Sequence, residues 1–257
     1  LVSVRLCQPD DHVLLATRNG KAIRFPAEAI RVFSGRTSTG VRGIKLADGD
    51  EVISMSVLHN VEMTTEERDA YMKAAGQIVD SEDPDFDYGK ADLELSQERF
   101  QELLSKEQLL LTITNGGYGK RTSAHEYRAA GRGGMGVTNM ALTDKNGGEV
   151  VATFPVTDAH QIMLVTDRGQ LIRTKVENIR ITGRSAQGVR VFHVAEGENV
   201  VSVAWLVQED EDGENGDESE AGAEQENGDE GIITEIHEAA PTELSEDEVS
   251  GEEPESE

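Results

Sequence analysis

The chain has 257 residues, which is enough for one or two domains, and it carries a formal net charge of −26 at pH 7. No apolar run is long enough to span a bilayer and no charged-then-apolar leader is present, so we expect no membrane partner. The single cysteine, Cys7, excludes an internal disulfide and indicates a reducing compartment. Because the chain begins with Leu1, we expect it to be part of a longer protein.

The negative charge is concentrated in two segments. Residues 208–257 contain 22 Asp and Glu but no Lys or Arg, and residues 59–106 contain 13 acidic and 5 basic residues. The rest of the chain holds 15 acidic and 19 basic residues and is therefore mildly basic. Such an asymmetry is typical of a protein with a polyanionic partner.

In chain order, one pattern occurs three times: an apolar run ending in Thr, a turn with Gly, an Arg four residues after that Gly, a Gly-Arg loop and a last apolar run. The runs and turns read HVLLATRNGKAIRF from His12, QLLLTITNGGYGKRT from Gln108 and QIMLVTDRGQLIRT from Gln161. The loops read GRTSTGVR from Gly35, GRGGMGVT from Gly131 and GRSAQGVR from Gly183. The second and third loops start 52 residues apart, whereas the first and second start 96 apart, so the first interval contains an insertion.

Each repeat has the local pattern of β structure. Short apolar runs end at hairpin turn signals such as Asn19-Gly20, and the run VVSVAW from Val200 is typical of a buried strand. We predict about four short strands per repeat, the size of one propeller blade. One such blade cannot bury both of its faces, so the three must stack. The sequence therefore predicts an all-β toroidal or spiral array with blades at residues 1–58, 107–158 and 159–207.

The insertion, residues 59–106, has a helical pattern instead. Thr64 to Glu67 fit a capping box, which predicts a helix through about Gly76. Ser96 can cap a second helix, with Phe100, Leu103 and Leu104 at the spacing of one helix face. We interpret this acidic segment as a helical excursion on one face of the array, a decoration without chemistry of its own.

The last segment, residues 208–257, consists mainly of Glu, Asp, Gly, Asn and Ser, and we predict a disordered acidic tail. Ile232, Ile233 and Ile236 could form one transient helical turn. One hypothesis is that the tethered tail competes with the polyanion for the basic body at a high effective concentration. The alternative is a role in solubility and spacing.

Cationic side chains recur at equivalent positions of the repeats. Stacked blades would bring equivalent residues to one rim, where guanidinium groups suit a phosphate backbone. The residues predicted to bind this backbone are first Arg36, Arg42, Arg132, Arg184 and Arg190, and then Arg24, Lys120, Arg121, Arg173 and Lys175. The sequence predicts no catalytic residues, since it holds no nucleophile elbow, no Walker loop and no zinc signature, and it predicts no metal ligands.

Several of these phrases resemble a known family. TRNGKAIRF, GVRGIKLADGDEV, TNGGYGKRT, QIMLVTDRGQLIRT and GENVVSV are similar, in this order, to segments of the C-terminal domain of the DNA gyrase A subunit, and the resemblance covers Leu1 to about Val207. It implies a β-pinwheel, a propeller-like disc of six blades whose basic rim wraps DNA. The chain would hold the last three blades and the tail, with the insertion as a clade-specific addition.

The resemblance also implies partners and an activity. The holoenzyme would be an ATP-dependent type IIA topoisomerase, an isomerase that introduces negative supercoils, built as A2B2 from an A-subunit dimer and the gyrase B subunit. ATP and Mg would bind through the B subunit, and the chain itself would carry no cofactor. The implied location is the bacterial cytoplasm at the nucleoid, and the implied substrate of the rim is double-stranded DNA.

One family motif is only partly present. The wrapping motif of the family's first blade reads Gln-Arg-Arg-Gly-Gly-Lys-Gly, and the nearest phrase here is AGRGGMG, which starts at Ala130 and lacks the Gln, the first Arg and the Lys. We interpret it as the equivalent loop of a later blade. Two alternatives stay open: the A subunit of topoisomerase IV, whose related disc is degenerate, and a propeller-like protein-interaction module, which would need exposed aromatic or apolar anchors.

Overall fold

The computed structural model describes residues 2–80, 95–207 and 236–238. In chain order the strands are β1 (His12–Thr17), β2 (Lys21–Pro26), β3 (Val52–Leu58), β4 (Leu109–Thr114), β5 (Tyr118–Ser123), β6 (Val137–Thr138), β7 (Val150–Val156), β8 (His160–Thr166), β9 (Leu171–Lys175), β10 (Val189–Arg190), β11 (Val200–Val207) and β12 (Ile236–Glu238). The helices are α1 (Thr65–Asp80) and α2 (Gln97–Ser105), and the short 3-10 helices are η1 (Ala27–Ala29), η2 (Ala124–Glu126), η3 (Asp144–Asn146) and η4 (Val176–Asn178). The prediction of a mainly β fold with a helical insertion is confirmed.

The strands form three four-stranded antiparallel sheets, one for each repeat. Each begins with a hairpin whose turn is closed by the Thr that ends the first apolar run. The hydroxyl oxygens of Thr17, Thr114 and Thr166 accept hydrogen bonds from the backbone N–H four residues later, at 3.2, 3.3 and 3.0 Å. The repeated Thr is therefore part of the turn, where a side-chain oxygen takes the place of a backbone acceptor.

Each of the first two sheets takes one strand from the following repeat, and we call this strand exchange and the two strands, β6 and β10, the exchanged strands. The order of the first sheet is β3-β1-β2-β6, although β6 belongs to the second repeat, and that of the second is β10-β5-β4-β7, although β10 belongs to the third. Val137 pairs with Ala22, and Val189 pairs with Gly119. The second and third repeats thus contain the predicted four short strands each, but one strand of each repeat, at its Gly-Val phrase, pairs into the sheet of the preceding repeat.

The exchange explains the second glycine of the repeated loop. Gly136 and Gly188 have φ of +71° and +75°, and a Cβ on them would lie 2.4 Å from the carbonyl oxygen of Ala22 and 2.7 Å from that of Gly119. Only glycine allows this backbone and this approach to the neighbouring sheet. Within the described residues the first repeat has no preceding sheet, and its equivalent glycine, Gly40, has no atom within 4 Å of the Cβ position.

The inner side of the array is formed by the last long strand of each sheet. Contacts between sheets run along β3, β7 and β11, whereas the exchanged strands β6 and β10 lie at the opposite, outer edges. The largest apolar cluster packs the second sheet on the third and includes Leu111, Phe154, Ile162 and Leu164. This layout places the Gly-Arg loops, which carry the exchanged strands, on the outside of the array.

The two helices predicted for the insertion are present in its described residues and dock on the second repeat. In the capping box, the hydroxyl of Thr64 accepts from the N–H of Glu67 at 3.1 Å, and the carboxylate of Glu67 accepts from the N–H of Thr64 at 2.8 Å. Tyr71 of α1 packs on Phe100 of α2, and its ring also meets the imidazole of His125 in η2 edge-on, with centroids 5.2 Å apart in both pairs. The predicted end of α1 at about Gly76 falls short, because the helix continues to Asp80.

The tail prediction concerns residues that, apart from β12, lie outside the described ones. The three residues of β12 pair antiparallel with β11 on its inner edge, where Ile236 lies opposite Ala204. Ile236 is thus in a strand and not in a helical turn. In the described ranges, no helix has the length and apolar character needed to cross a bilayer.

Candidate nucleic-acid interface

The hairpin arginine of the first repeat is buried at the junction with the second repeat. Arg24 is 7% exposed, and its guanidinium donates to the carbonyl oxygens of Ala124 at 3.0 Å and His59 at 3.3 Å. Its Nε donates to Nδ1 of His12 at 2.9 Å, and burial lowers the pKa of His12, which favours the neutral imidazole that can accept. Burial lowers the pKa of Arg24 to about 10, so the guanidinium stays charged at neutral pH. Arg24 fastens one sheet to the next.

The same arrangement occurs at the junction of the second and third repeats. Arg121 is 7% exposed, and it donates to the carbonyl oxygens of Ile179 at 2.5 Å and Glu177 at 3.2 Å and pairs with the carboxylate of Asp158. Its own carbonyl accepts from the N–H of Thr182 at 2.9 Å. The prediction that Arg24 and Arg121 lie on the rim is wrong, because their guanidinium groups satisfy backbone carbonyls inside the array.

Lys120 is also internal. Its side chain has no exposed surface, and its Nζ donates to the carbonyl oxygens of Gly183 at 2.8 Å and Arg184 at 2.5 Å. Burial lowers the pKa of Lys120 to about 8. Lys120 therefore holds the Gly-Arg loop of the third repeat against the second sheet, and it too is withdrawn from the predicted DNA contacts.

No repeat follows the third hairpin within the described residues, and the equivalent positions there have different surroundings. Arg173 is exposed and donates through Nε to the side chain of Gln161 at 2.5 Å, and Lys175 is exposed and pairs with Glu177 at 3.2 Å. Both side chains are accessible, and no strand of the described residues covers the outer edge of β9. Arg173 has the sequence position of Arg24 and Arg121 but not their surroundings.

The loop arginines Arg132 and Arg184 lie on the outer side of the array and donate hydrogen bonds to the preceding repeat. Arg132 is exposed, and its guanidinium donates to the carbonyl oxygens of Ala29 at 2.8 Å and Arg42 at 3.2 Å. Arg184 is half-buried and donates to the carbonyl oxygen of Thr138 at 2.7 Å. Such contacts orient each guanidinium and still leave it accessible from the outer side of the array.

The remaining predicted residues are exposed. Arg36 and Arg42 lie in the first Gly-Arg loop, which has no preceding sheet in the described part of the chain. Arg190, in the exchanged strand β10, places its guanidinium carbon 5.5 Å from the ring centre of Tyr118 and donates to the Tyr118 hydroxyl at 3.0 Å. This cation–π contact fixes a charged group on the outermost strand of the second sheet.

A further series of exposed arginines was not among the residues predicted from the sequence. Arg31, Arg128 and Arg180 each follow the hairpin arginine of their repeat by seven residues, and all three are exposed. The constant spacing was the available signal, but the series lies outside the Gly-flanked loop. At each junction an arginine of this series lies close to an arginine of a Gly-Arg loop. Arg132 donates to the carbonyl oxygen of Ala29, two residues before Arg31, and Arg184 lines the same cavity as Arg128.

We call the exposed or half-exposed arginines of these loops and of the segments before them the rim arginines. They are Arg31, Arg36, Arg42, Arg128, Arg132, Arg180, Arg184 and Arg190. Their guanidinium groups are planar cations, and the repeated sheets space them regularly along the array. Such a series suits an extended polyanion better than a small ligand. In the described ranges, no group of three or more His, Cys, Asp or Glu could hold a metal ion.

The comparisons with known proteins agree with this architecture. A family model described as the DNA gyrase C-terminal domain, beta-propeller, matches residues 11–59, 108–157 and 160–204, which are the three repeats without the insertion. The chain is 43% identical over 222 residues to the DNA gyrase A subunit of Rickettsia bellii, covering 86% of this chain and 24% of that protein. It is 46% identical over 236 residues to the DNA gyrase A subunit of Granulibacter bethesdensis, covering 86% of this chain and 25% of that protein.

The chain thus spans about a quarter of the length of these curated relatives. Among solved structures, the C-terminal domain of DNA topoisomerase IV is similar with a TM-score of 0.57 at 20% identity, over 80% of this chain and 50% of that one, a likeness that concerns the fold alone. The family match covers all three repeats, and the strand-exchanged sheets have the blade architecture that its description names. The chain belongs to the family of DNA gyrase C-terminal, β-propeller domains.

Proposed function

We propose that this chain is the DNA-binding and DNA-wrapping part of a gyrase A protein. The observation that carries the proposal is the recurrence of exposed or half-exposed arginines at equivalent places on the outer side of successive sheets, two at each junction: Arg31 with Arg132, and Arg128 with Arg184. Sheet stacking explains the buried Arg24 and Arg121, but it does not require charge on the outside. A row of cations does suit the backbone of a duplex that follows the rim.

The energetics allow such a rim to bend DNA. Bending a site of 20–30 base pairs by 40–90° costs roughly 1–6 kcal/mol. Each phosphate that the rim neutralises releases counterions and adds about 0.9 to the slope of log K against log salt. Several contacts together can offset the bending cost. Because guanidinium contacts to phosphates carry no base code, we expect binding that depends little on sequence.

The catalytic part of the proposal concerns the longer protein. There the chain would bend a duplex and present it to a cleavage gate elsewhere in an ATP-dependent type IIA topoisomerase. Two gyrase A chains would join two gyrase B chains in the A2B2 holoenzyme, with ATP and Mg bound through gyrase B, in the bacterial cytoplasm at the nucleoid. The support for this is the similarity to the relatives named as gyrase A.

The rim is tested by a triple variant with one change from each repeat: Arg31→Ala, Arg132→Ala and Arg190→Ala. We expect weaker binding to a 40-base-pair duplex, measured by fluorescence anisotropy over a salt series, and a slope reduced by about 2.7, which is three contacts of about 0.9 each. The matched control removes three exposed cations that are not rim arginines, with Lys73→Ala, Lys145→Ala and Arg168→Ala. Equal slopes for the two triple variants, both with unchanged melting temperatures, would refute the rim assignment.

Wrapping is tested separately from binding. Nicked circular DNA is ligated with the protein bound, and the supercoils trapped in the closed product are counted after the protein is removed. A bent duplex on the rim should shift the distribution of topoisomers in proportion to the protein added. An unchanged distribution with the longer parent domain would favour the protein-interaction alternative.

A further inference from the structure

A cleft opens on the outer side of the junction between the second and third repeats, and one of its walls is helix α1 of the insertion. The cleft has a volume of about 320 Å³ and is lined by three arginines, Arg68, Arg128 and Arg184, together with the carboxylates of Asp69 and Glu126. The arginines come from three separate parts of the chain: the insertion, the segment after η2 and the third Gly-Arg loop.

The docking of the insertion places Arg68 beside the other two. Tyr71, three residues after Arg68, packs edge-on against His125, three residues before Arg128. Leu103 of α2 is fully buried, and its carbonyl oxygen lies 3.4 Å from Nε2 of His125. These contacts fix α1 against η2, so the position of Arg68 follows from the fold of the insertion and not from a flexible surface segment.

Two of the three arginines, Arg68 and Arg184, are positioned by hydrogen bonds, and cations outnumber carboxylates in the cleft. Arg68 donates to the carboxylate of Asp69 through Nε at 3.1 Å and through Nη2 at 2.7 Å. Arg184 donates to the carbonyl oxygen of Thr138, and its backbone N–H donates to the carboxylate of Glu126 at 2.7 Å. Arg128 is exposed. Three cations face two carboxylates, and one of these carboxylates is already engaged by a backbone N–H.

We propose that Arg68, Arg128 and Arg184 form a phosphate-binding cleft through which the helical insertion takes part in DNA binding. The inference rests on the proposed function, and its occupant is a backbone phosphate of a duplex that follows the rim. Guanidinium groups from three parts of the chain together offer more donors to the two anionic oxygens of one backbone phosphate than a single loop arginine does. The insertion is then a contributor of charge to the rim and not a decoration.

The test compares two charge deletions on the same helix in the full chain. Arg68→Ala should weaken binding of a 40-base-pair duplex by up to about 8-fold at 0.1 M salt, and it should lower the slope of log K against log salt by up to about 0.9, the value for the loss of one whole phosphate contact. The control is Lys73→Ala, which removes an exposed cation of α1 that does not line the cleft and should leave both quantities unchanged. Asp69→Asn should act in the opposite direction and tighten binding, because it removes the competing carboxylate.

The outcomes separate this inference from the proposed function. If the unchanged chain does not bind the duplex, both fall. If it binds and Arg68→Ala behaves like Lys73→Ala with a native melting temperature, only this inference falls. Inorganic phosphate is the second probe. A phosphate-dependent rise in melting temperature that Arg68→Ala abolishes, without any change in duplex affinity, would identify a small-anion site and overturn the role in DNA binding.

Discussion

Replacing Gly136 by Ala should break the strand exchange between the first two sheets. The new Cβ would lie 2.4 Å from the carbonyl oxygen of Ala22, and the φ of +71° is unfavourable for any residue with a side chain. The left-handed backbone alone costs roughly 1–2 kcal/mol. Losing the pairing of β6 with β2 removes about two hydrogen bonds, each worth roughly 0.5–1.5 kcal/mol net. We therefore expect the free energy of unfolding to fall by about 2–5 kcal/mol.

The first repeat provides the matched control. Gly40 occupies the same place in its loop with a φ of +76°, but no atom lies within 4 Å of its Cβ position. Gly40→Ala should therefore cost only the backbone part, about 1–2 kcal/mol. Urea unfolding followed by circular dichroism gives both values, and hydrogen exchange at Val137 reports the exchanged strand directly. Equal losses for the two variants, with Val137 still protected in Gly136→Ala, would refute the expected role of Gly136.

Two further predictions concern the junctions between repeats. Arg121→Met should lower the free energy of unfolding by about 2–4 kcal/mol, because it leaves buried carbonyl oxygens without a donor. Arg173→Met, at the equivalent exposed site, should change the free energy of unfolding by less than about 0.5 kcal/mol. Urea unfolding measures both values, and similar losses for the two variants would contradict the inter-sheet role of Arg121. Burial lowers the pKa of Lys120 to about 8 from 10.5, so between these pH values the unfolded chain binds more protons than the folded one. The free energy of unfolding of the unchanged chain, measured relative to that of Lys120→Met, should therefore increase as pH rises from about 8 to 9.5. A difference between the two chains that stays constant over this pH range would contradict the prediction.

The repeats, the hairpins and the helix caps could be predicted because their signals are local. Thr64 and Glu67 lie three residues apart and cap the same helix turn, so sequence spacing alone identifies the motif. The same holds for the turn that follows Thr17. A periodic pattern of this kind fixes which elements form, and repetition of the pattern indicates that they stack.

The environment of a repeated side chain could not be predicted in this way. Arg24, Arg121 and Arg173 have the same local sequence position, yet two are buried and one is exposed. The difference depends on whether another repeat follows, and this lies outside any local pattern. Recurring charge can indicate function, but Arg24 and Arg121 use their guanidinium groups to donate to backbone carbonyl oxygens at the junction with the following repeat.

The partners of the exchanged strands could not be predicted either. Gly136-Val137 is equally compatible with a strand in its own sheet and with one in the preceding sheet, because a two-residue strand carries too little alternation to specify a partner. Likewise, Arg31, Arg128 and Arg180 recur at a constant spacing of seven residues after the hairpin arginine of each repeat. Nothing in the flanking residues distinguishes them from ordinary solvated side chains.

Strand exchange also restricts how such an array can be shortened, lengthened or recombined. Because β6 lies in the chain between η2 and β7, no continuous stretch of sequence contains the whole first sheet without also cutting into the second. A gene fragment that begins and ends at the repeat boundaries therefore encodes one sheet with a missing edge and one orphan strand. An engineer who adds or deletes a unit would have to supply a terminal cap offering two extended residues to the edge that β9 leaves uncovered, as capping units do in other tandem arrays.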